Sequence, residues 1–226
     1  MIEALENRAL MDAVMDHGAL TVTGTDAADV ITIRQQGNQL IVDQQSNRAE
    51  SSFHGAFDMS DMYVVRVQTL GGNDQVRVDT TYTPFVFQID GGRGNDELIG
   101  GSAMRNYLYG GDGNDTLVSL RSDGSLDGGA GNDRLIGGRG ENVFRGGDGN
   151  DELIGEGDDY MHGGNGNDVL RGGDNSDRMY GEAGNDRLYG GGGPDRLSGG
   201  DGHDFGDGGS GTDWQDGTLE RFVSIP

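Results

Sequence analysis

Apolar residues recur at two different periods along this chain. Between residues 19 and 90, runs such as VITI, YVVRV and FVFQI alternate apolar with polar positions, which is typical of half-buried β-strands. From residue 91 onward a single apolar residue returns about every nine positions. Residues 2–14 instead carry apolar residues at helical spacing, which predicts a short helical cap.

The nine-residue period is an internal repeat, glycine-glycine-any-glycine-any-aspartate-any-apolar-any. Glycines at the first, second and fourth places permit the positive φ angles of a tight turn. The residues after the aspartate suit a minimal strand, so one unit is a turn plus a strand. Units begin at Gly91, Gly100, Gly110, Ser119, Gly128, Gly137, Gly146, Gly155, Gly163, Gly172, Gly181, Gly190, Gly199 and Gly208.

Two units complete one coil, and coils stack as parallel strands about 4.8 Å apart. The chain is therefore predicted to be all-β, a parallel β-roll or β-helix solenoid with the N-terminal helical cap. We divide it into the cap (1–18), longer solenoid coils (19–90), the nonapeptide roll (91–216) and a C-terminal tail or cap (217–226).

Because each unit lies above the unit two places earlier, alternate units share one edge. The first edge is unbroken, whereas the second has damaged turns near Asn106 and Gly124 and is complete only towards the C-terminus. Asp74 precedes Asp96 by about one long coil and is predicted to stack under the first edge, with Asp29 as a weaker candidate. The sixth-place aspartates of the first edge are Asp96, Asp115, Asp133, Asp151, Asp168, Asp186 and Asp204, and those of the second are Asp159, Asp177, Asp195 and Asp213.

The apolar place of each unit predicts a thin core between the edges. Phe205 and Trp214 stand one residue before this place in the last units, which predicts that they cover the open end of the roll. The predicted core residues are Leu98, Leu117, Leu135, Leu153, Leu170 and Leu188 on one side and Leu108, Leu126, Phe144, Met161, Met179 and Leu197 on the other.

The net charge of the chain limits the kinds of partner that it is expected to bind. The formal net charge is -23 and lysine is absent, so nucleic acid and anionic membranes are poor partners and cations are favoured. Stacked carboxylates repel one another unless a divalent ion lies between them. Carboxylate and carbonyl oxygens suit Ca²⁺ better than Mg²⁺ or Zn²⁺. No apolar run is long enough to span a bilayer, and no cysteine is present to form a disulfide or a thiol nucleophile.

The repeats, including GGAGNDRLI and GGDGNDELI, resemble the RTX (hemolysin-type) calcium-binding nonapeptide family over residues 91–216. The resemblance implies a right-handed β-roll whose sixth-place aspartates and turn carbonyls hold several Ca²⁺ ions. It also implies a bacterial protein that is secreted or displayed at the cell surface, with type I export and folding induced by calcium outside the cell.

Other functions remain open at this point. A polysaccharide-binding or adhesive module, or an accessory domain of a secreted polysaccharide-active enzyme, fits the same repeats. The sequence offers no HExxH motif and no G-x-S-x-G elbow, and its four histidines are scattered, so no catalytic residue is predicted and we expect no enzyme activity. Possible glycan or surface partners and the oligomeric state are not determined by the sequence.

Overall fold

The chain forms a parallel β-solenoid of about nine turns. The computed structural model describes residues 12–47, 52–81, 83–120 and 123–225, and every regular element in these ranges is a strand. In chain order the strands are β1 (Asp12–Asp16), β2 (Ala19–Thr23), β3 (Asp29–Gln36), β4 (Gln39–Ser46), β5 (Ser52–Asp58), β6 (Val64–Gln68), β7 (Gln75–Asp79), β8 (Thr83–Arg93), β9 (Glu97–Gly100), β10 (Ala103–Asp112), β11 (Thr116–Ser119), β12 (Asp123–Ala130), β13 (Arg134–Ile136), β14 (Asn142–Asp148), β15 (Glu152–Ile154), β16 (Tyr160–Asn165), β17 (Val169–Asp174), β18 (Arg178–Ala183), β19 (Arg187–Gly192), β20 (Arg196–Asp201), β21 (Phe205–Ser210), β22 (Trp214–Gln215) and β23 (Arg221–Ile225).

Two sheets contain these strands. Within the described ranges the first sheet has the order β1-β2-β6-β8-β10-β12-β14-β16-β18-β20-β22. The second has the order β23-β21-β19-β17-β15-β13-β11-β9-β7-β3-β4-β5. Consecutive strands of the repeats thus alternate between the sheets, and each strand pairs in parallel with the strand two places away.

The register follows the nonapeptide. Leu135 pairs with Leu117 on one side and with Leu153 on the other. Two units of nine residues bring identical repeat positions into register, so apolar positions stack on apolar positions. The predicted stacking of alternate units is confirmed.

The core is the space between the two sheets. Every core residue predicted from the repeats is fully buried. The core widens towards the N-terminus, where Phe85 and Phe87 pack edge to face with ring centroids 5.6 Å apart. The longer strands there contribute two inward positions each, for example Ile31 and Ile33 on β3.

The predicted N-terminal helical cap is wrong for the residues that can be checked. Residues 12–16 form β1, which pairs antiparallel with β2, and the rest of that prediction, residues 1–11, lies outside the described residues. His17 and Gly18 turn the chain with φ of 45° and 79°, and such a two-residue turn favours a hairpin over a continuing helix.

The chain from β3 to β5 departs from the parallel solenoid. β3 pairs antiparallel with β4, and β4 pairs antiparallel with β5 at the edge of the second sheet. β3 itself pairs in parallel with β7, so the hairpin strands extend a sheet whose other pairings are parallel.

The C-terminal end is closed by residues after the last repeat. Gly206 takes an inward position without a side chain, and Leu219 fills the space beside it. Phe222 packs against the same core. The prediction that Trp214 covers the open end is wrong, because its residue surface is 57% exposed and it lies in an outward position of β22.

Candidate metal centres

The turns bring successive coils into backbone contact. Gly92 and Gly94 have φ of 92° and 130°, a region that favours glycine, and their counterparts recur in later turns. A Cβ on Gly113 would collide with the carbonyl oxygen of Gly94 in the previous coil. Glycine at these places therefore lets carbonyl oxygens of one turn approach the next turn closely.

The first-edge aspartates form a continuous ladder through the coils. The N–H of Asp115 donates to Oδ1 of Asp133 at 2.7 Å, and the N–H of Asp133 donates to Oδ1 of Asp151 at 2.8 Å. The structure thus brings together the predicted first-edge residues, and Asp74 and Asp29 continue the ladder towards the N-terminal end of the solenoid. The ladder runs through Asp29, Asp74, Asp96, Asp115, Asp133, Asp151, Asp168, Asp186 and Asp204.

The second carboxylate oxygen of these residues is buried without a hydrogen-bond partner. A buried, unsatisfied oxygen on a charged group is costly unless a cation or a donor completes it. Among the described residues, Oδ2 is in this state in Asp74, Asp96, Asp115, Asp133, Asp151, Asp168, Asp177, Asp186, Asp195 and Asp204.

Except in Asp74, whose turn begins with Thr69, each such Oδ2 borders a space that exists because the turn begins with glycine. A Cβ on Gly163 would lie 2.7 Å from the carbonyl oxygen of Gly181 in the next coil, and would also collide with Oδ2 of Asp168. We call this place, beside the first glycine of a turn, its oxygen notch. Within it a carboxylate oxygen and a carbonyl oxygen from neighbouring coils converge, which is the type of donor that Ca²⁺ uses.

Burial alters the acidity of the ladder. Burial raises the pKa of Asp133 from 3.8 to about 7, against the lowering effect of the N–H bond from Asp115, and the nearby Asp151 carboxylate raises it further. The same causes raise the pKa of Asp168 to about 7. On the second edge, burial likewise raises the pKa of Asp177 to about 7. The ladder therefore resists ionisation when it carries no cation.

The second edge has a shorter aspartate ladder. The N–H of Asp159 donates to Oδ1 of Asp177 at 2.8 Å, and that of Asp177 donates to Oδ1 of Asp195 at 2.9 Å. The N–H of Asp195 donates to Oδ1 of Asp213 at 3.1 Å, which places all four predicted residues in one row.

Closer to the N-terminus, amides replace carboxylates on this edge. Asn142 pairs with Gly124, which pairs with Asn106. The Nδ2 of Asn142 donates to the carbonyls of Gly138 and Gly140 at 3.0 and 2.8 Å. The Nδ2 of Asn106 likewise donates to a carbonyl of its own turn. An amide nitrogen thus satisfies turn oxygens that an ion would otherwise bind.

A threonine fills the notch of the Asp74 turn. Thr69 stands where later turns begin with glycine, and its hydroxyl donates to the carbonyl of Gly91 at 2.6 Å. The same hydroxyl lowers the pKa of Asp74, although burial is stronger and raises that pKa to about 7. In the coil below, Oδ2 of Asp29 accepts the N–H of Thr25 at 2.6 Å. In the turns of Asp29 and Asp74, the two nearest the N-terminus, threonine side chains and backbone N–H groups therefore provide the donors.

Sequence reasoning missed the residue that ends the first-edge ladder. Glu220 accepts the N–H of Asp204, as another sixth-place aspartate would. Thr218 accepts the N–H groups of Gly199 and Gly200 at 2.8 and 3.2 Å. Neither residue belongs to a repeat, so only the length of chain between Asp204 and Glu220, close to one coil, could have indicated the role.

The metal centres are built mainly from backbone. Across the described residues, no three His, Cys, Asp or Glu side chains converge on a common metal position. An ion between coils would thus take most of its ligands from carbonyl oxygens. The described residues also contain no helix long and apolar enough to cross a membrane.

Comparison with known families agrees with the geometry. A family model for the RTX calcium-binding nonapeptide repeat (4 copies) matches residues 88–117, 101–126, 127–157, 153–188 and 180–214. No curated protein matches the chain.

Proposed function

Because the chain belongs to the RTX calcium-binding nonapeptide repeat family, we propose that it binds a row of Ca²⁺ ions along each edge and that these ions drive folding of residues 91–216. The observation that supports the proposal most directly is the row of buried Oδ2 atoms, which in the turns of Asp96 to Asp186 on the first edge, and of Asp177 and Asp195 on the second, lie beside a carbonyl of the following coil.

The oxygen notches indicate which turns hold ions. Within the part of the chain that the structure describes, a notch bordered by both its own aspartate and the first carbonyl of the next coil occurs six times on the first edge and three times on the second. We assign the ions of these notches to Asp96, Asp115, Asp133, Asp151, Asp168 and Asp186, and to Asp159, Asp177 and Asp195.

The remaining predicted ligands lie at the ends of the ladders. At Gly199 and Gly208 the nearest atoms to an added Cβ all belong to Asp204 and Asp213, the aspartates of the same turns. We assign these aspartates to the outer face of the last ion on each edge. Asp74 is assigned to the hydrogen-bonded ladder alone, because the Thr69 side chain takes the place of an ion.

The donor set favours calcium. Carboxylate and carbonyl oxygens are hard ligands, and Ca²⁺ accepts six to eight of them in flexible geometry. Mg²⁺ demands a strict octahedron and keeps several waters, which a notch walled by backbone does not favour. Zn²⁺ is bound mostly by His and Cys, and cysteine is absent.

Electrostatics links ion binding to folding. Neighbouring ladder carboxylates lie one strand spacing apart, about 4.8 Å, where two full charges repel by about 3 kcal/mol at an effective dielectric near 20. A divalent ion replaces each repulsion by an attraction. Metal binding to a site that exists only in the fold adds its free energy to folding.

The coils before residue 91 should fold without this help. Their core contains the pair Phe85 and Phe87 and several β-branched side chains, and the notch beside Asp74 is filled by Thr69. We therefore expect calcium to act on the repeats and to leave the N-terminal coils folded.

The setting follows from the family in the same way. RTX repeat rolls are typically structural and not catalytic, and such repeats are typical of extracellular bacterial proteins. We propose that this chain is exported before it folds and meets calcium outside the cell. The low calcium concentration of the cytoplasm would then keep the repeats unfolded until secretion.

Two optical signals separate the parts of the chain. Far-ultraviolet circular dichroism reports all strands, whereas near-ultraviolet circular dichroism reports fixed aromatic rings, including the Tyr160 and Tyr180 pair of the roll. In strong chelator we expect a reduced near-ultraviolet signal together with partial β signal, and in millimolar calcium we expect both signals to be native. Identical spectra in both conditions, or no calcium uptake by calorimetry, would contradict the proposal.

A further inference from the structure

The outward face of the first sheet carries a straight row of four exposed side chains. Tyr160 pairs with Arg178, Arg178 with Arg196, and Arg196 with Trp214, across β16, β18, β20 and β22. All four are exposed, and we call them the outer row. The row lies on the outward sheet face, and each member directly follows an aspartate of the second-edge ladder.

The outer row places two like charges side by side. Arg178 and Arg196 are directly opposite on neighbouring strands, an arrangement that is destabilising unless an anion lies between them. In the described part of the chain, neither guanidinium has a carboxylate within ion-pair distance. Two unneutralised cations side by side are notable in a chain of net charge -23.

Several repeat arginines of the second sheet have partners, and Arg187 stands between Val169 and Phe205 instead of beside a second arginine. Arg134 forms an ion pair with Glu152, and Arg171 lies over the ring of Tyr189 at 4.8 Å from its centroid. Arg221 lies over the ring of Phe205 at 5.6 Å. The bare arginine pair is therefore a property of the first sheet and not of the repeat in general.

Aromatic rings flank the arginine pair. Tyr160 lies beside Tyr180, with ring centroids 5.5 Å apart, and His162 stacks on Tyr180 at 5.0 Å. Trp214 stands at the other end of the row and is 57% exposed. Exposed rings of this kind offer flat apolar surface with polar edges, which suits the C–H faces of sugars.

A groove continues from Tyr160 across the same face. It has a volume of about 780 Å³, Ser125 and Val143 contribute to its floor, and Tyr107 lies on the far side. Val143 pairs with Tyr160 and Ser125, so the groove extends the line of the outer row along the solenoid axis.

Two acidic side chains beside the groove make contacts at the turn edge, and Glu141 also lines the groove. Asp158 accepts the N–H of Ser176 at 2.9 Å. Asp123 lies 3.8 Å from the guanidinium of Arg105 and accepts the N–H of Glu141 at 3.2 Å. These contacts hold two of the carboxylates at the turn edge and leave the arginine pair accessible.

We infer that the outer row binds an acidic polysaccharide, a polymer of uronic acid sugars. The arginines would bind the carboxylates in the bidentate manner that guanidinium favours. Tyr160 and Trp214 would stack on sugar rings at either end. Successive positions along the row are about 4.8 Å apart, close to the advance per sugar of an extended 1,4-linked chain, so one sugar can meet each strand.

Bound calcium would reduce the repulsion between the acidic protein and an acidic polysaccharide. Nine ions, one for each notch assigned above, would offset 18 of the 23 net negative charges. The inference rests on the proposed calcium-dependent folding, because all four strands of the row belong to the repeats.

Calorimetry of the calcium-loaded protein with oligogalacturonate tests the inference. The double variant Arg178→Gln, Arg196→Gln should weaken binding at least about tenfold, because it removes both charge-assisted contacts to the sugar carboxylates. Trp214→Ala should weaken it less. The matched control Arg171→Gln, Arg187→Gln removes the same charge from the second sheet and should leave the affinity unchanged.

Three results would overturn the inference. They are no binding by the wild type, equal loss in the control variant, and equal binding of single-stranded DNA, which would indicate a preference for any polyanion. Circular dichroism and calcium uptake are measured on the same samples. Native spectra without glycan binding reject the outer row alone, whereas native spectra and glycan binding in chelator reject calcium-dependent folding alone.

Discussion

Replacing Asp133 by asparagine should change stability in opposite directions with and without calcium. Oδ1 of Asp133 accepts the N–H of Asp115 at 2.7 Å, and an asparagine can keep this bond. The new Nδ2 would take the place of the unpartnered Oδ2 and donate to a turn carbonyl, as Nδ2 of Asn142 does to Gly140 at 2.8 Å. The variant therefore exchanges one ion ligand for one internal hydrogen bond.

The magnitudes follow from the two states. At a free calcium concentration one hundred times the dissociation constant, loss of one ion lowers the free energy of unfolding by about 2.7 kcal/mol. Without calcium, Asp133→Asn removes one buried carboxylate from between two others and should raise the free energy of unfolding by about 1 to 3 kcal/mol. The pKa of about 7 for Asp133 shows that its charged form is disfavoured in the ion-free fold.

Urea unfolding in calcium, followed by far-ultraviolet circular dichroism, measures the first effect. The far-ultraviolet signal of the chain in chelator measures the second as a rise in the folded fraction. Calorimetry should show one ion fewer in the variant. Asp112→Asn is the matched control, because Asp112 is an exposed aspartate in the neighbouring coil of the same edge. Equal destabilisation in both conditions with an unchanged number of ions would refute the assignment of Oδ2 as a calcium ligand.

Three further predictions test the notches and the ladder. Gly128→Ala places a Cβ 2.6 Å from the carbonyl oxygen of Gly146 and should abolish one ion by calorimetry, whereas Gly192→Ala, with its nearest neighbour at 3.3 Å, should retain all ions. Thr69→Gly should open the notch beside Asp74 and add one ion, and a folded variant with no added ion would reject the role given to Thr69. Ladder carboxyls with pKa raised from 3.8 to about 7 bind more protons folded than unfolded, so in chelator the folded fraction of the repeats should fall as pH rises through this range. A folded fraction that rises over the same range would contradict that sign.

The repeat was sufficient to predict the roll in detail. A nine-residue period fixes both the strand length and the register, so the pairing of Leu135 with Leu153 followed from counting. The burial of Phe144 and Met161 followed in the same way, because each stands at the apolar place of its unit. Regular repetition makes each local decision agree with all the others.

The hairpins at the N-terminal end could not be predicted in this way. Alternation of apolar and polar residues is the same in parallel and antiparallel strands, so the run in β4 gave no direction. The helical spacing of residues 12–14 likewise competed with a hairpin turn at His17 and Gly18, and pairing with the edge of β2 favoured the strand.

Trp214 shows a different limit. Its apolar ring predicted a cover over the open end of the roll, but its place one residue before the inward position of β22 points it outward, and Leu219 from beyond the repeats closes the core. Strand alternation therefore outweighed hydrophobicity at this position.

The structure shows three ways of completing the same space between coils, and this explains why the aspartate pattern alone does not count ions. Beside Asp133 the space is open and Oδ2 has no hydrogen-bond partner, whereas Asn142 supplies its own donor. Beside Asp74 the Thr69 side chain occupies the space, and its hydroxyl donates to the carbonyl of Gly91. Asp74 and Asp133 have the same residue type, the same burial and the same ladder bond. The difference lies in whether the turn begins with Thr69 or with Gly128, because a side chain there occupies the volume that an ion requires. The first glycine of the repeat therefore helps to predict a calcium site as much as the aspartate does. The glycine leaves the space that an ion requires, and the aspartate supplies a ligand on one side of that space.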